Sequence, residues 1–411
     1  MKILFLSEAV SLAHIGRPLL LAKWAHENNI AVHFAASAEG LQKIKANSNG
    51  FKTHDIFTIK DSLFYDRVNQ GKFFYQVNEL KKYVAAEKAL ILKINPDLIV
   101  SDFRLTAAIS AELTGKPLLN LSNAYWSPNY ACPFPAPEIG IFKLIPQGAS
   151  DFVFNFIRPL AFKFFGKELN QTRKFYGLKP KKDFRELYTD GTFTAYMDLP
   201  NFVKINNLPE KHFFIGPIIW SPEANRVNIL LKEKNHVYIS MGSTGSNTSL
   251  PNIIESVLKN NLNIILSGVS ALEKENLLRN YPQLNGRSIM EPLIKAEDIL
   301  PFCKLTICHG GSGTVYQSIT SGVPVLCFPK NPDQGLVSLA VAQKNIGRFL
   351  TSKTTSRQTI DAMINECLTN DVILQNAKNM QNDLSQWDTK KHWMQFLNRF
   401  KTIRKSKQII A

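Results

Sequence analysis

Residues 305–334 read LTICHGGSGTVYQSITSGVPVLCFPKNPDQ, and this one stretch decides the fold. A short apolar run suited to a buried strand leads into His309, Gly310, Gly311, Ser312, Gly313 and Thr314, and residues 315–321 then carry a helical pattern. The order is strand, glycine turn, helix start. A helix N-terminus presents unpaired backbone N–H groups at the positive end of its dipole, and glycine lets an anion approach that backbone without a Cβ in the way. Ser312 and Thr314 add hydroxyl donors and His309 adds one ring N–H. Each such charge-assisted donor to a phosphate contributes about 1.5–3 kcal/mol. Gly322 ends the helix, residues 323–328 read as a second buried strand, and Asp333 and Gln334 stand where that strand meets the next helix. In an open α/β sheet, ligands lie beyond the carboxyl ends of the strands, so both turns point at one crevice. An acid beside an amide matches the hydroxyls of a sugar ring.

The flanking sequence repeats this alternation. HVYISMGS is a strand followed by Gly242 and Ser243; helices near residues 252–260 and 271–281 then alternate with NLNIILSG and RSIM. Repeated βα units mean a parallel sheet covered on both faces. At the other end, residues 2–7 are a strand, a loop passes through His14 and Gly16, Pro18 opens a helix, and IAVHFAAS is the next strand, which together make a βαβ unit. PDLIVSDF is a buried strand ending near Asp102, and KPLLNLS is another. Residues 40–95 read as mixed helix and loop without identifiable chemistry, and residues 123–137 as a loop carrying Tyr125, Trp126, Tyr130 and Phe134.

A chain of 411 residues with 45% apolar composition is long enough for two domains with sizeable cores. Its five cysteines are irregularly spaced and odd in number, which reads as reduced core residues rather than disulfides or a metal site. The start imitates a signal peptide, but Glu8 interrupts a short apolar run, so a first strand is expected. No run of apolar residues is long enough to span a membrane. The formal net charge is +16. No nucleic-acid module accompanies it, and the charge is not interleaved with base-stacking aromatics, so no nucleic-acid partner is expected. Residues 141–186 hold ten Lys or Arg against four Asp or Glu, and residues 388–411 seven against one; both segments are also rich in Phe or Trp. That pairing suits an anionic membrane surface better than a duplex. In residues 151–176, Val153, Phe156, Ile157, Leu160 and Phe164 share a helical face, with Pro159 expected to kink or split the helix. The plain reading is a core-facing helix pair; an apolar acceptor pocket or an interfacial helix are the alternatives.

His309, Gly311, Thr314, Gly322, Val323, Pro324, Asp333 and Gln334 fall in register with a known pattern, HxGxxS/T then GVP then DQ. The stretch resembles the donor-binding motif of family 1 inverting glycosyltransferases, in the bacterial form HGGxGT. The resemblance implies a GT-B fold of class α/β: two Rossmann-like domains whose parallel sheets face an interdomain cleft. It places an acceptor-binding domain at residues 1–205, a linker at 206–233, a nucleotide-sugar domain at 234–385, and a helix at 386–411 crossing back to the first domain. By the same resemblance Ser243, His309, Gly310, Gly311, Ser312, Gly313 and Thr314 take the donor diphosphate, and Asp333 and Gln334 the donor sugar. His14, followed by Pro18 but preceded by Ala13 where the family has Gly, stands at the general base, and Asp102 orients it. Where plant members stack a Trp on the base, this chain has Met290 and Leu293. Tyr125, Trp126 and Phe134 are candidates to contact the acceptor.

The implied reaction moves a hexose from a UDP- or dTDP-linked sugar to a hydroxyl of a lipophilic or lipid acceptor. It requires no cofactor and no metal, and no DxD pair accompanies the donor stretch. The expected location is cytoplasmic, with peripheral contact to the inner face of a membrane. A sugar-nucleotide epimerase on the same fold, or a non-catalytic partner of a glycosyltransferase or lipid, are the rival readings.

Overall fold

A run as apolar as KILFLS is covered on both faces only in the middle of a sheet, and Lys2–Ser7 forms β1 there. Alternation sends Ile3 and Phe5 into the core on one face and Leu4 and Leu6 into the core on the other. With it stand β2 (Ala31–Ala36), β3 (Lys52–Asp55), β4 (Leu98–Asp102), β5 (Leu118–Ser122), β6 (Phe193–Tyr196) and β7 (His212–Phe214). Their order is β3-β2-β1-β4-β5-β6-β7, and neighbouring pairs are parallel. A second sheet holds β8 (His236–Ser240), β9 (Asn263–Ser267), β10 (Ser288–Glu291), β11 (Cys303–Cys308), β12 (Val325–Cys327) and β13 (Gly347–Phe349). Its order is β10-β9-β8-β11-β12-β13, again parallel throughout. The fold is therefore α/β with two parallel sheets, and helices make most of the crossovers that parallel pairing requires, residues 197–211 joining β6 to β7 without one.

This computed structural model describes residues 1–44, 50–137, 140–221, 233–241 and 249–410. The chain divides into two units, one of Met1–Cys132, Phe156–Trp220 and Asp388–Ala411, the other of Pro133–Asn155 and Ser221–Trp387. The expected linker lies partly outside the described residues, at 222–232. Residues 133–155 belong to the second unit, not the first. There the Lys353 ammonium donates to the Ile145 carbonyl at 2.8 Å and to Ser150 Oγ at 2.9 Å, and Pro135 packs so near Gly335 that a Cβ there would meet its ring at 2.9 Å.

The terminal helix Thr389–Ile410 belongs to the first unit: Trp393, Leu397 and Phe400 are buried with Phe5, and Trp393 Nε1 donates to the Leu21 carbonyl at 3.1 Å. All five cysteines are free thiols, four of them buried. Among the described residues no helix is long and apolar enough to cross a membrane. Two expectations fail in the Phe-rich segment. Pro159 lies inside one helix, Gln147–Phe165, and the break comes later, at Gly166 before Lys167–Phe175. The face holding Phe156, Leu160 and Phe164 is also exposed rather than turned to the core.

Candidate active site

In the second sheet the chain steps outward from β8 through β9 to β10, then returns to the other side of β8 as β11. The reversal leaves a gap beyond the carboxyl ends of β8 and β11, where Cys308 pairs with Ser240, and such a switch point is where parallel sheets bind ligands. His309 and the glycines follow directly. The helix begins earlier than its sequence pattern suggests, as Ser312–Thr320 with Gly311 at the N-cap. Ser312, Gly313 and Thr314 thus form its first turn. No side chain among the described residues caps that turn and no acid sits in it, so its amides are open to an anion.

The glycines divide by role. Gly310 has φ +79°, and a Cβ on it would come 2.3 Å from Ser338 Oγ and 2.9 Å from the Gln334 carbonyl. A side chain at Gly311 or Gly313 would meet nothing within 4 Å among the described residues. One glycine therefore lets the turn pack against the next helix, and two leave space in front of the amides. That next helix is Pro332–Gln343, capped by Asn331, whose side chain accepts from Gln334 N–H at 3.0 Å. The turn and the Asp333–Gln334 pair are thereby brought together. Gln334 Oε1 accepts from the Lys330 amide at 2.8 Å, which leaves its NH₂ group to meet a hydroxyl.

His309 is only 4% exposed, yet neither ring nitrogen has a hydrogen-bond partner among the described residues. Burial first, and Lys330 second, push its pKa down to about 4. The ring is neutral at pH 7 and holds one N–H that nothing among the described residues receives. A buried polar group left unmade costs about 1–3 kcal/mol, which an incoming acceptor would relieve.

The first sheet has its own reversal, between β1 and β4, where Ser7 pairs with Asp102. His14 lies on the helix Leu12–Glu27, and its Nδ1 is 2.9 Å from Asp102 Oδ1. Arg17, one turn further along, donates from Nε to Asp102 Oδ2 at 2.9 Å and from Nη2 to Oδ1 at 3.1 Å, and is 3.4 Å from Asn123 Oδ1. Its Nη2 is also 2.8 Å from His14 Nδ1. An arginine only donates, so Nδ1 either gives a proton to Asp102 or accepts one hydrogen bond from Arg17. In the first arrangement Nε2 is a free base; in the second it carries the proton. Phe103 stacks on the imidazole at 4.4 Å, and its backbone is left-handed, with φ +57°. A bulky residue in that region is strained. Phe64, Phe74 and Tyr188 extend the apolar wall, at 5.5–5.8 Å from the Phe103 ring.

The structure thus joins His14 to Asp102, and the glycine turn to Asp333 and Gln334. Ser243 lies outside the described residues. Met290, expected at the base, is 2% exposed inside the second unit's core, because its place on β10 turns it inward, while Leu293 is exposed. Tyr125, Trp126 and Phe134 are buried packing residues, and Phe134 is tied by its amide to Asn155 Oδ1 in the second unit. Arg17 and Phe103 escaped sequence reasoning. The helical spacing of His14 and Arg17 was the available signal for the first; nothing in sequence signals a left-handed Phe.

Residues 268–390 match the family model of the erythromycin biosynthesis protein CIII-like C-terminal domain. Over 92% of this chain and 87% of the relative, the sequence is 30% identical to a PGL/p-HBAD biosynthesis glycosyltransferase of Mycobacterium tuberculosis. It is also 30% identical to a PGL/p-HBAD biosynthesis rhamnosyltransferase of Mycobacterium bovis, over 87% of this chain and 79% of the relative. Among solved structures, the glycosyltransferase VinC in complex with dTDP superposes with a TM-score of 0.71 at 16% identity, covering 98% of this chain and 100% of that one. That likeness is one of fold, and the fold is GT-B.

Proposed function

The chain belongs to family 1 of the glycosyltransferases, and from that premise we propose that it transfers a hexose, with inversion and without a metal ion, from a UDP- or dTDP-linked sugar to a hydroxyl of a lipophilic acceptor. The observation that carries the donor half is His309, a buried neutral imidazole with both nitrogens unpartnered among the described residues, set before a helix start that none of those residues' side chains caps. Negative charge grows on the departing diphosphate, so stabilisation has to be aimed there, and fixed amides with one imidazole N–H supply it. Gln334 and Asp333 hold the sugar hydroxyls. A rhamnosyltransferase among the relatives and a fold neighbour holding dTDP both favour a nucleotide-linked hexose as donor.

In the acceptor half, Asp102 accepts the hydrogen bond of His14 Nδ1–H, which stays on the ring, and leaves Nε2 as the base. Nε2 removes the acceptor hydroxyl's proton, the oxygen attacks the anomeric carbon, and the bond to the diphosphate breaks on the opposite side, inverting that carbon. Asp102 then faces the imidazolium that results. The aromatic wall of Phe103, Phe64, Phe74 and Tyr188 beside His14 favours an apolar acceptor.

Titration calorimetry tests the donor site. UDP or dTDP should bind the wild type, and His309→Ala should weaken binding about tenfold or more, the equivalent of one charge-assisted donor. No heat from the wild type with either diphosphate would overturn the assignment.

A further inference from the structure

Along the helix Gln147–Phe165, Phe156, Leu160 and Phe164 follow one another at four-residue spacing and are 83%, 72% and 63% exposed. Residues four apart lie on one side of a helix, so these side chains form a single stripe, which Phe152 continues one turn earlier. The same helix buries Phe154 and Phe162 elsewhere, so its inward packing is already met. A contiguous apolar stripe of this kind marks an interaction surface.

The stripe has a cationic margin. Leu160 and Phe164 line a shallow groove of about 490 Å³ together with Lys163, Lys167, Asn170, Gln171 and Lys174. Among the described residues no carboxylate lies within 4 Å of those three ammonium groups. Lysine stems can lie along apolar surface while the charge reaches outward. On the next helix, Phe175 is 62% exposed with Lys81 Nζ 3.5 Å above its ring, a second pairing of aromatic and cation.

We propose that this face docks on an anionic phospholipid surface, the stripe entering the boundary between headgroups and acyl chains and the lysines meeting lipid phosphates. Charge complementarity selects that occupant: Lys163, Lys167 and Lys174 border the stripe, and among the described residues no carboxylate within 4 Å neutralises them. A neutral apolar partner would leave the lysines without a counter-charge, and a duplex would leave the Phe stripe in water. Membrane binding of this type needs both terms, apolar insertion and attraction to anionic lipid.

The test is co-sedimentation of the full chain with extruded vesicles at about 0.1 M salt, where surface attraction still reaches roughly 10 Å. Vesicles containing about one-third phosphatidylglycerol should carry the protein down, and pure phosphatidylcholine should not. The Phe156→Ser/Leu160→Ser variant and the Lys163→Ala/Lys167→Ala/Lys174→Ala variant should each weaken binding about tenfold or more. Both should retain the wild type's heat with UDP or dTDP, which separates lost docking from lost folding and from any failure of the donor assignment. Wild-type protein left in the supernatant with anionic vesicles would refute the proposal. Full binding by the Phe156→Ser/Leu160→Ser variant would reduce it to charge alone. A concentration-dependent dimer broken by that variant, or loss of vesicle binding to competing duplex DNA at equal charge, would reassign the face to a second copy or to nucleic acid.

Discussion

His14 faces two claims on one nitrogen, and the outcome decides whether it can act as a base. Asp102 Oδ1 and Arg17 Nη2 both stand within 3 Å of Nδ1, and only the arrangement with Nδ1–H to Asp102 frees Nε2. Replacing His14 with Ala should lower turnover about 10²- to 10⁴-fold, the usual share of a general base; single-turnover assays showing an unchanged rate would refute that role. Arg17 acts on Asp102, not on substrate, by holding both carboxylate oxygens with a planar fork. Lysine keeps the charge but loses the fork, so Arg17→Lys should lower kcat about tenfold with KM unchanged, since it disturbs orientation rather than binding. A change in KM alone would place Arg17 in acceptor binding. Asp102 was legible in the sequence as the acid ending a buried strand and His14 by its place in the family's pattern, although His14 stands on the helix Leu12–Glu27 and not in the loop expected there. Arg17 was not, because an arginine on a helix beside a buried strand looks like any surface cation until the fold brings an acid to it.

At the scale of the element, the glycine turn separates positions that hold the fold from positions we assign to the ligand. Gly310 is left-handed and packed against Ser338 and Gln334, so Gly310→Ala adds both backbone strain and a clash. It should destabilise by about 1–3 kcal/mol, measured as a fall in the urea midpoint. Gly313 is within a helix and a Cβ there would meet nothing within 4 Å among the described residues, so Gly313→Ala should hold stability level or raise it by up to about 1 kcal/mol while weakening diphosphate binding. If both variants destabilised alike with diphosphate binding intact, the space before the turn would have no ligand role. Strands here were readable because buried parallel strands are continuous apolar runs, whereas the helix after the turn starts earlier, at Ser312, than its apolar pattern shows. The helix break at Gly166 was misjudged: Pro159 keeps its place in the helix Gln147–Phe165, whereas Gly166 stands between that helix and Lys167–Phe175. Met290 was misjudged because position in a chain does not say which side of an edge strand a residue takes.

For the molecule as a whole, βα alternation was enough to read two parallel sheets. It could not reveal that residues 133–155 join the second unit, because that depends on long-range ties such as Lys353 to Ile145. Among the buried titratable groups whose pKa is displaced, His309 in the second unit and Glu8 in the first act on stability in opposite directions. In the second unit, His309 falls from its ordinary 6.5 to about 4. Between those values the unfolded chain binds more protons than the folded one, so stability drops as pH falls from about 6.5 to about 4. In the first unit, Glu8 is fully buried, with Tyr75 donating to it at 3.0 Å, and desolvation raises it from 4.5 to about 7. There the folded chain holds the proton longer, so this contribution is whole below about 4.5 and is lost as pH rises through about 7. Each shift corresponds to about 3 kcal/mol at most. His309→Asn should therefore flatten the acid limb of the thermal midpoint against pH and leave the alkaline limb unchanged. Glu8→Gln, which keeps an acceptor for Tyr75 without a charge to bury, should do the reverse, its advantage over wild type larger near about pH 8 than near about pH 5. Two variants that moved the same limb would mean that neither buried group governs the profile, and that the excess of basic charge does.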